Sequence, residues 1–515
     1  MCADGIARRD FIRLATAGVA GGVLGLRAAL AANSPAEPWD PKRPLHVPGE
    51  KLKVQPVFMH TTFQRREKTS WKSWSDINTK DAAAEEAARI ARELKELAAK
   101  ADFPLELLPL ATVTTVEEAK KVHESDYDAV LLFPATGGGG TLRACFPPKP
   151  EKDAIVFVRH ESGPTYYWYE ALSTGYLKKS SDFEQAKTSA RDHGGLTVHD
   201  AVVDDYAEVA WRLRALCGLR NFIGQRIVAL GGAGGKYDSN APKAAREKFE
   251  LNIIEVTYDQ LRERIQKAKA DALLVAQAAK WTRQYLALPR TRLQTQEPFV
   301  TNAFILYRVF KDWLREHEAW AFTIGACMGT VMPIAETTAC MPLSWLNDEG
   351  YAAFCESDFV IIPPGMLLHA IARRPVFLCN STFPHKGVVT VAHCTAPRRM
   401  DGTRYEPARI LTHYESDYGA APKVDMRIGQ DVTFIDPEYA SGRWVGFKGV
   451  IKANPFHAIC RTQQDIELHG DWPRLLDEAR DSHWMMAYGD HLRELAYAAR
   501  KIGIKWVNLA GPLAS

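Results

Sequence analysis

The sequence predicts an α/β protein: two doubly wound, Rossmann-like layers, then an antiparallel β-rich part, barrel or sandwich, closed by a helix. Three observations carry this. Short apolar strands alternate with helical segments from Lys53 to Gly325, the pattern of parallel layers. Beyond Cys394 the segments become short and β-rich, separated by Gly, Pro and Asp turns. From Trp484 to Lys501 the apolar period becomes helical. With 515 residues the chain exceeds one simple core. The expected divisions are an α/β domain over 50–222, a second over 223–395 and the β-rich domain over 396–515.

In order, an irregular Pro-rich lead-in over 32–49 precedes a first strand, Lys53 to Phe58. A long Ala/Glu/Lys/Arg-rich helix follows from Asp81 to Lys100, then a strand from Leu105 to Leu110. Thr115 and Glu118 have capping-box spacing, and Asp128 to Phe133 is a continuous apolar strand. Gly137 to Gly140 lacks the spacing of a P-loop or dinucleotide fingerprint and reads as a loop over a ligand cleft. The second unit opens with the strand Arg226 to Leu230. The glycine run Gly231 to Gly235 matches G-x-G-x-x-G poorly, which argues against NAD. The strands Asn252 to Val256 and Ala321 to Gly325 bracket helices around 258–280 and 298–316. The β-rich segments are Arg409–His413, Lys423–Arg427, Asp431–Ile435 and Trp444–Ile451, with Ile504–Leu509 as a last strand.

Composition is that of an ordinary folded protein, 46% hydrophobic and 25% charged. A formal charge of +3 with no Lys/Arg run excludes a nucleic-acid face. At the N-terminus, Arg8-Arg9-Asp10-Phe11-Ile12, an Ala/Gly-rich run and Ala29-Leu30-Ala31 resemble a twin-arginine signal over 1–31. That implies periplasmic or otherwise exported protein, while Arg27 and the glycines argue against a stable membrane span. The nine cysteines form no C-x-x-C pair and no regular framework, so they read as buried packing residues.

The chemistry concentrates between Glu336 and Cys394. Acids stand at Glu336, Asp348, Glu349, Glu356 and Asp358 at the ends of apolar segments, and His393-Cys394 closes the stretch. Carboxylates in such places are costly unless protonated, paired or metal-bound. Each candidate also has a structural reading. Glu336 suits a helix N-terminus and Asp358 a helix cap, His393 suits a core strand, and His483 suits a cap beside Asp481.

The last third of the chain resembles the L-fucose/L-arabinose isomerase-like family. The resemblance lies in Leu346-Asn347-Asp348-Glu349-Gly350, Cys355-Glu356-Ser357-Asp358, Arg374-Pro375-Val376-Phe377, Val391-Ala392-His393-Cys394, Gly429-Gln430-Asp431-Val432-Thr433 and His483 with Gly489-Asp490-His491. It implies two α/β domains, a C-terminal β-barrel, and aldose–ketose interconversion with Mn²⁺ or another divalent metal. By the same resemblance Glu336, Asp358 and His483 hold the metal. Glu336 and Asp358 handle the substrate protons, and Glu356 and His393 contact the sugar. A homo-oligomer, trimer or hexamer, is also implied. Two alternatives stand beside this reading. One is a metal-dependent sugar lyase or epimerase. The other is a non-catalytic exported carbohydrate-binding protein using the aromatic run Tyr166-Tyr167-Trp168-Tyr169.

Overall fold

Parallel strands bury both faces, and the first sheet shows why its strands are unbroken apolar runs. In the computed structural model, which describes residues 38–511 apart from 173–176, 178–188 and 439–441, its order is Leu105–Leu107, Leu52–Met59, Ala129–Pro134, Asp153–Val158, Ala201–Val203. A further short strand, Ala111–Val113, pairs with the far end of Leu52–Met59. The signal-like segment 1–31 lies outside the described residues. The lead-in over 38–49 has neither helix nor strand.

Local rules explain the surrounding helices. Thr79 caps Lys80–Lys100, whose Ile90, Leu94 and Leu97 recur at helical spacing and are buried. Thr115 and Glu118 make both bonds of the expected capping box. Gly137 to Gly140 form no open loop, because Gly138 is the N-cap of a short helix, Gly139–Cys145.

The second sheet is also parallel, in the order Ala352–Cys355, Ala321–Ile324, Arg226–Leu230, Asn252–Val256. Its helices include the amphipathic Glu297–Glu316, packed through Phe304, Tyr307, Phe310 and Trp313. No helix among the described residues is long and apolar enough to cross a membrane.

A closed antiparallel barrel follows. Around the ring stand Asp431–Pro437, His483–Tyr488, Phe377–Ser381, Val388–His393, Thr462–Leu468 and Arg443–Ala453, which pairs back with Asp431–Pro437. Closure leaves no free edge within the ring. Two of these strands, Phe377–Ser381 and Val388–His393, precede residue 396. Two segments expected in the β-rich domain, now Ala408–Leu411 and Ala421–Val424, instead form a small sheet with Thr291–Leu293.

The helix expected over 484–501 begins as a strand. His483–Tyr488 pairs on both sides in the barrel, and only Leu492–Lys501 is helical. Trp484, Met486 and Tyr488 fill the barrel core, while Met485 and Ala487 face the α/β core. With both faces buried, the strand carries no polar alternation and its apolar run imitates a helix. The terminal helix then packs on Tyr206–Arg220, anchored by Lys501 between Asp153 (3.2 Å) and Asp200 (3.0 Å). The Tyr497 hydroxyl donates to Asp200 at 2.5 Å.

Candidate functional site

Ligands of parallel α/β sheets gather beyond the carboxyl ends of the strands. In the second sheet those ends face the outer wall of the barrel across a cavity of about 900 Å³. Immediately after Ala352–Cys355 the chain turns through two left-handed residues, Glu356 (φ 66°) and Ser357 (φ 50°). Neither is glycine, so each costs on the order of 1 kcal/mol or more.

The neighbouring glycine run holds this turn. Gly234 and Asp358 form a bridge, with Gly234 N–H on the Ser357 carbonyl (3.1 Å) and Phe359 N–H on the Gly234 carbonyl (2.8 Å). Ser357 Oγ donates to the Gly232 carbonyl at 2.6 Å. Left-handed Gly231 (φ 83°) lies so close to the Tyr258 ring that a Cβ there would clash. The run therefore clamps a neighbouring loop by backbone contact.

The turn delivers Asp358 to His483. Asp358 Oδ2 accepts from His483 Nδ1 at 2.8 Å, and its Oδ1 accepts from the backbone N–H groups of Lys236 (3.0 Å) and Val360 (3.2 Å). His483 begins a barrel strand and pairs with Asn380, on the face pointing away from the barrel core. Two residues earlier, Asp481 Oδ1 accepts the His483 backbone N–H at 3.1 Å. The Asp481 Oδ2 atom is buried with no hydrogen-bond partner. Asp358, Asp481 and His483 are all buried and bring one ligand atom each within 4.8 Å of one another. Such a group can hold a metal ion.

On the cavity side, His483 Nε2 lies 3.1 Å from the Lys236 ammonium and 3.2 Å from Glu356 Oε2. One neighbour only donates and the other only accepts, so a protonated ring bonds to Glu356 and a neutral ring to Lys236. Burial would lower the His483 pKa. Hydrogen bonds to Asp358 and Glu356, with the Glu356 charge, outweigh it and raise it to about 9. Glu356 is held far below the usual carboxylate range by hydrogen bonds from His393 and His483. His393, last residue of its strand, places Nε2 3.5 Å from Glu356 Oε1 and Nδ1 3.1 Å from Thr395 Oγ1. Burial raises the Asp481 carboxyl pKa.

Four of the five expected site residues thus converge: Glu356, Asp358, His393 and His483. Glu336 does not join them. It is the left-handed C-cap of Cys327–Ala335, with 63% of its side chain exposed and Lys269 at 3.0 Å. A carboxylate at the negative end of a helix is unfavourable, and the lysine compensates it. Asp348 and Glu349 are also elsewhere, Asp348 on the backbone of Arg398 and Arg399 and Glu349 on Tyr307 and Lys311. Asp481 and Lys236 were missed. The signal for Asp481 was the D-x-H spacing, which puts both residues on one side of an extended chain.

In the aromatic run Tyr166 and Trp168 are buried, with the Tyr166 hydroxyl bonded to Glu86, while Tyr167 is half-buried and Tyr169 exposed. No protein-family model matches the chain, and no curated protein matches it either.

Proposed function

We propose that the chain is a metal-dependent enzyme of the aldose–ketose isomerase type, acting on a monosaccharide or close derivative. The observation that carries the reading is the buried Asp358–Asp481–His483 group set beside Glu356 on the cavity wall. Its oxygen and imidazole donors suit Mn²⁺ or Mg²⁺, and the unpartnered Asp481 Oδ2 is the kind of buried atom a cation satisfies. Asp481 and His483 would hold the ion, with Asp358 fixing the imidazole through Nδ1. When bound, the metal supplies charge stabilisation for the oxygens of a sugar losing a proton beside its carbonyl.

The chain's own residues do the rest. His483 would hold the ion as the neutral imidazole, its second ring proton released to solvent, because a ligating imidazole is neutral. Glu356 and His393, 3.5 Å apart, form the pair that takes a proton from one substrate carbon and returns it to the next. In this reading Glu356 fills the role first given to Glu336. Lys236, at the same wall, neutralises negative charge developing on a substrate oxygen. Export through the twin-arginine route and homo-oligomerisation belong to the proposal through the sequence alone.

The test combines elemental analysis of purified protein with an aldose–ketose assay over pentoses and 6-deoxyhexoses with added Mn²⁺. Asp481→Asn is expected to lose metal and turnover together, and Glu356→Gln turnover alone. An unsaturated product would transfer the reading to a lyase. Wild type with neither metal nor turnover would replace the enzyme by a carbohydrate-binding protein.

A further inference from the structure

The same cavity has a second wall of different chemistry. Of the chain's nine cysteines, Cys327, Cys340, Cys355, Cys394 and Cys460 line it. They come from five separate segments: two helix starts, two strand ends and the approach to the strand Thr462–Leu468. Cys394 is the centre. Cys340 and Ala421 pack with it in a small core of their own, and the half-buried Cys460 packs against them. The Arg461 backbone N–H points at Cys394 Sγ from 3.4 Å. None of the thiols is in a disulfide.

Packing accounts for Cys340 and Cys394, which are buried, but not for five thiols sharing one wall of an open cavity, where they invite oxidation. Thiol–disulfide exchange fits poorly, since it needs a thiolate. The Cys394 thiol is pushed up to about 12, by Cys340 beside it and by burial, and burial pushes Cys327 to about 11. What such sulfurs lack is a positive charge to replace their protons. A soft cation brings that charge and prefers sulfur to oxygen. Two sulfurs suffice for a d¹⁰ ion in linear coordination, and Cys394 packs with two other cysteines, Cys340 and Cys460. The Met328 thioether and the His413 imidazole also line the cavity.

We propose that Cys394, with Cys340 or Cys460, binds a soft monovalent d¹⁰ cation of the Cu(I) class between two sulfurs. Two sulfur–metal bonds form, two thiol protons leave to solvent and no electron is transferred. The site is separate from the Asp358–Asp481–His483 group, whose donors are oxygen and imidazole. The proposal does not rest on the isomerase reading.

The experiment is anaerobic titration of the reduced full-length protein with Cu(I) against a chromogenic chelator. Wild type is expected to hold one Cu(I) per chain. Cys394→Ser should weaken it by roughly 100-fold or more, while Cys217→Ser, whose thiol is buried elsewhere, leaves it unchanged. Absence of Cu(I) retention by wild type overturns the proposal, as does equal retention by Cys394→Ser. Should Cys394→Ser not fold, X-ray absorption of the wild-type complex decides: sulfur neighbours around copper support the site, and a nitrogen/oxygen shell overturns it. A Cys394 disulfide found by non-reducing mass mapping of protein that binds no Cu(I) also overturns it. Mn²⁺ content is read in the same samples, so failure of this site and failure of the divalent one are distinguishable.

Discussion

Two buried charge networks show what separates architecture from a site. Around Lys501, the ammonium sits between Asp153 and Asp200, His193 Nδ1 lies 2.7 Å from Asp153, and the Tyr497 hydroxyl closes the group. Every charge there meets an opposite charge, and the network ties the terminal helix to the first sheet. Around His483, Asp481 Oδ2 has no hydrogen-bond partner among the described residues, and Glu356 is 44% exposed to a large cavity. Burial of charge is common to both. Buried atoms without a hydrogen bond occur in both, at Asp153 Oδ1 and His193 Nδ1 as at Asp481 Oδ2, but those of the first lie within ion pairs in the core. A group open to a large cavity marks only the second, and that is where a ligand has work to do.

The comparison can be broken at several points. The largest effect is expected at the cavity. Glu356→Gln should lower turnover by about 10²–10⁴-fold while leaving metal content near wild type. A parallel loss of metal would make Glu356 a ligand rather than a proton carrier. Next in size, Lys501→Ala should destabilise the fold by roughly 3–5 kcal/mol, because it leaves Asp200 buried without its cation and Asp153 with His193 alone. Denaturant unfolding measures this, and the variant, held folded by osmolyte, should bind metal as wild type does.

A third effect concerns pH. His483 is raised from 6.5 to about 9 in the folded, metal-free chain. Its contribution is therefore fully present below about pH 6.5 and lost as pH rises through about 9, amounting to at most roughly 3 kcal/mol. Unfolding of metal-free protein across that window, with imidazole NMR, reads it directly. An unchanged stability there would count against the Asp358–His483–Glu356 chain. Smallest is Ser357→Ala, which removes the bond to the Gly232 carbonyl and should cost about 1 kcal/mol. A larger drop in metal affinity than in stability would show that the strained turn aims the ligands.

How legible all this was varied with how local the cause is. Thr115 announced its capping box because both bonds lie within one turn of chain. The strand Ala129–Pro134 was legible because burial on both faces writes an unbroken apolar run. The same signal misled at His483–Tyr488, where an apolar run flanked by a true helix read as more helix. Glu356, Asp358, His393 and His483 were legible as chemistry, since acids and imidazoles at the ends of apolar segments need a partner. Glu336 looked the same in sequence and was not the same. Lys269, distant along the chain, supplies its charge at the surface.

By itself, then, the sequence determined the alternation of parallel layers, the change to β-rich structure, several caps and the chemical type of most candidate residues. Those properties follow from periodicity and from side-chain chemistry within a few residues. Tertiary structure alone decided that the barrel closes through strands on both sides of residue 396, and that Asp481 and Lys236 join the site. It also decided that five scattered cysteines share one wall. Each of these depends on contacts between segments tens to hundreds of residues apart, whose geometry is set by packing of the whole core and leaves no local pattern in the chain.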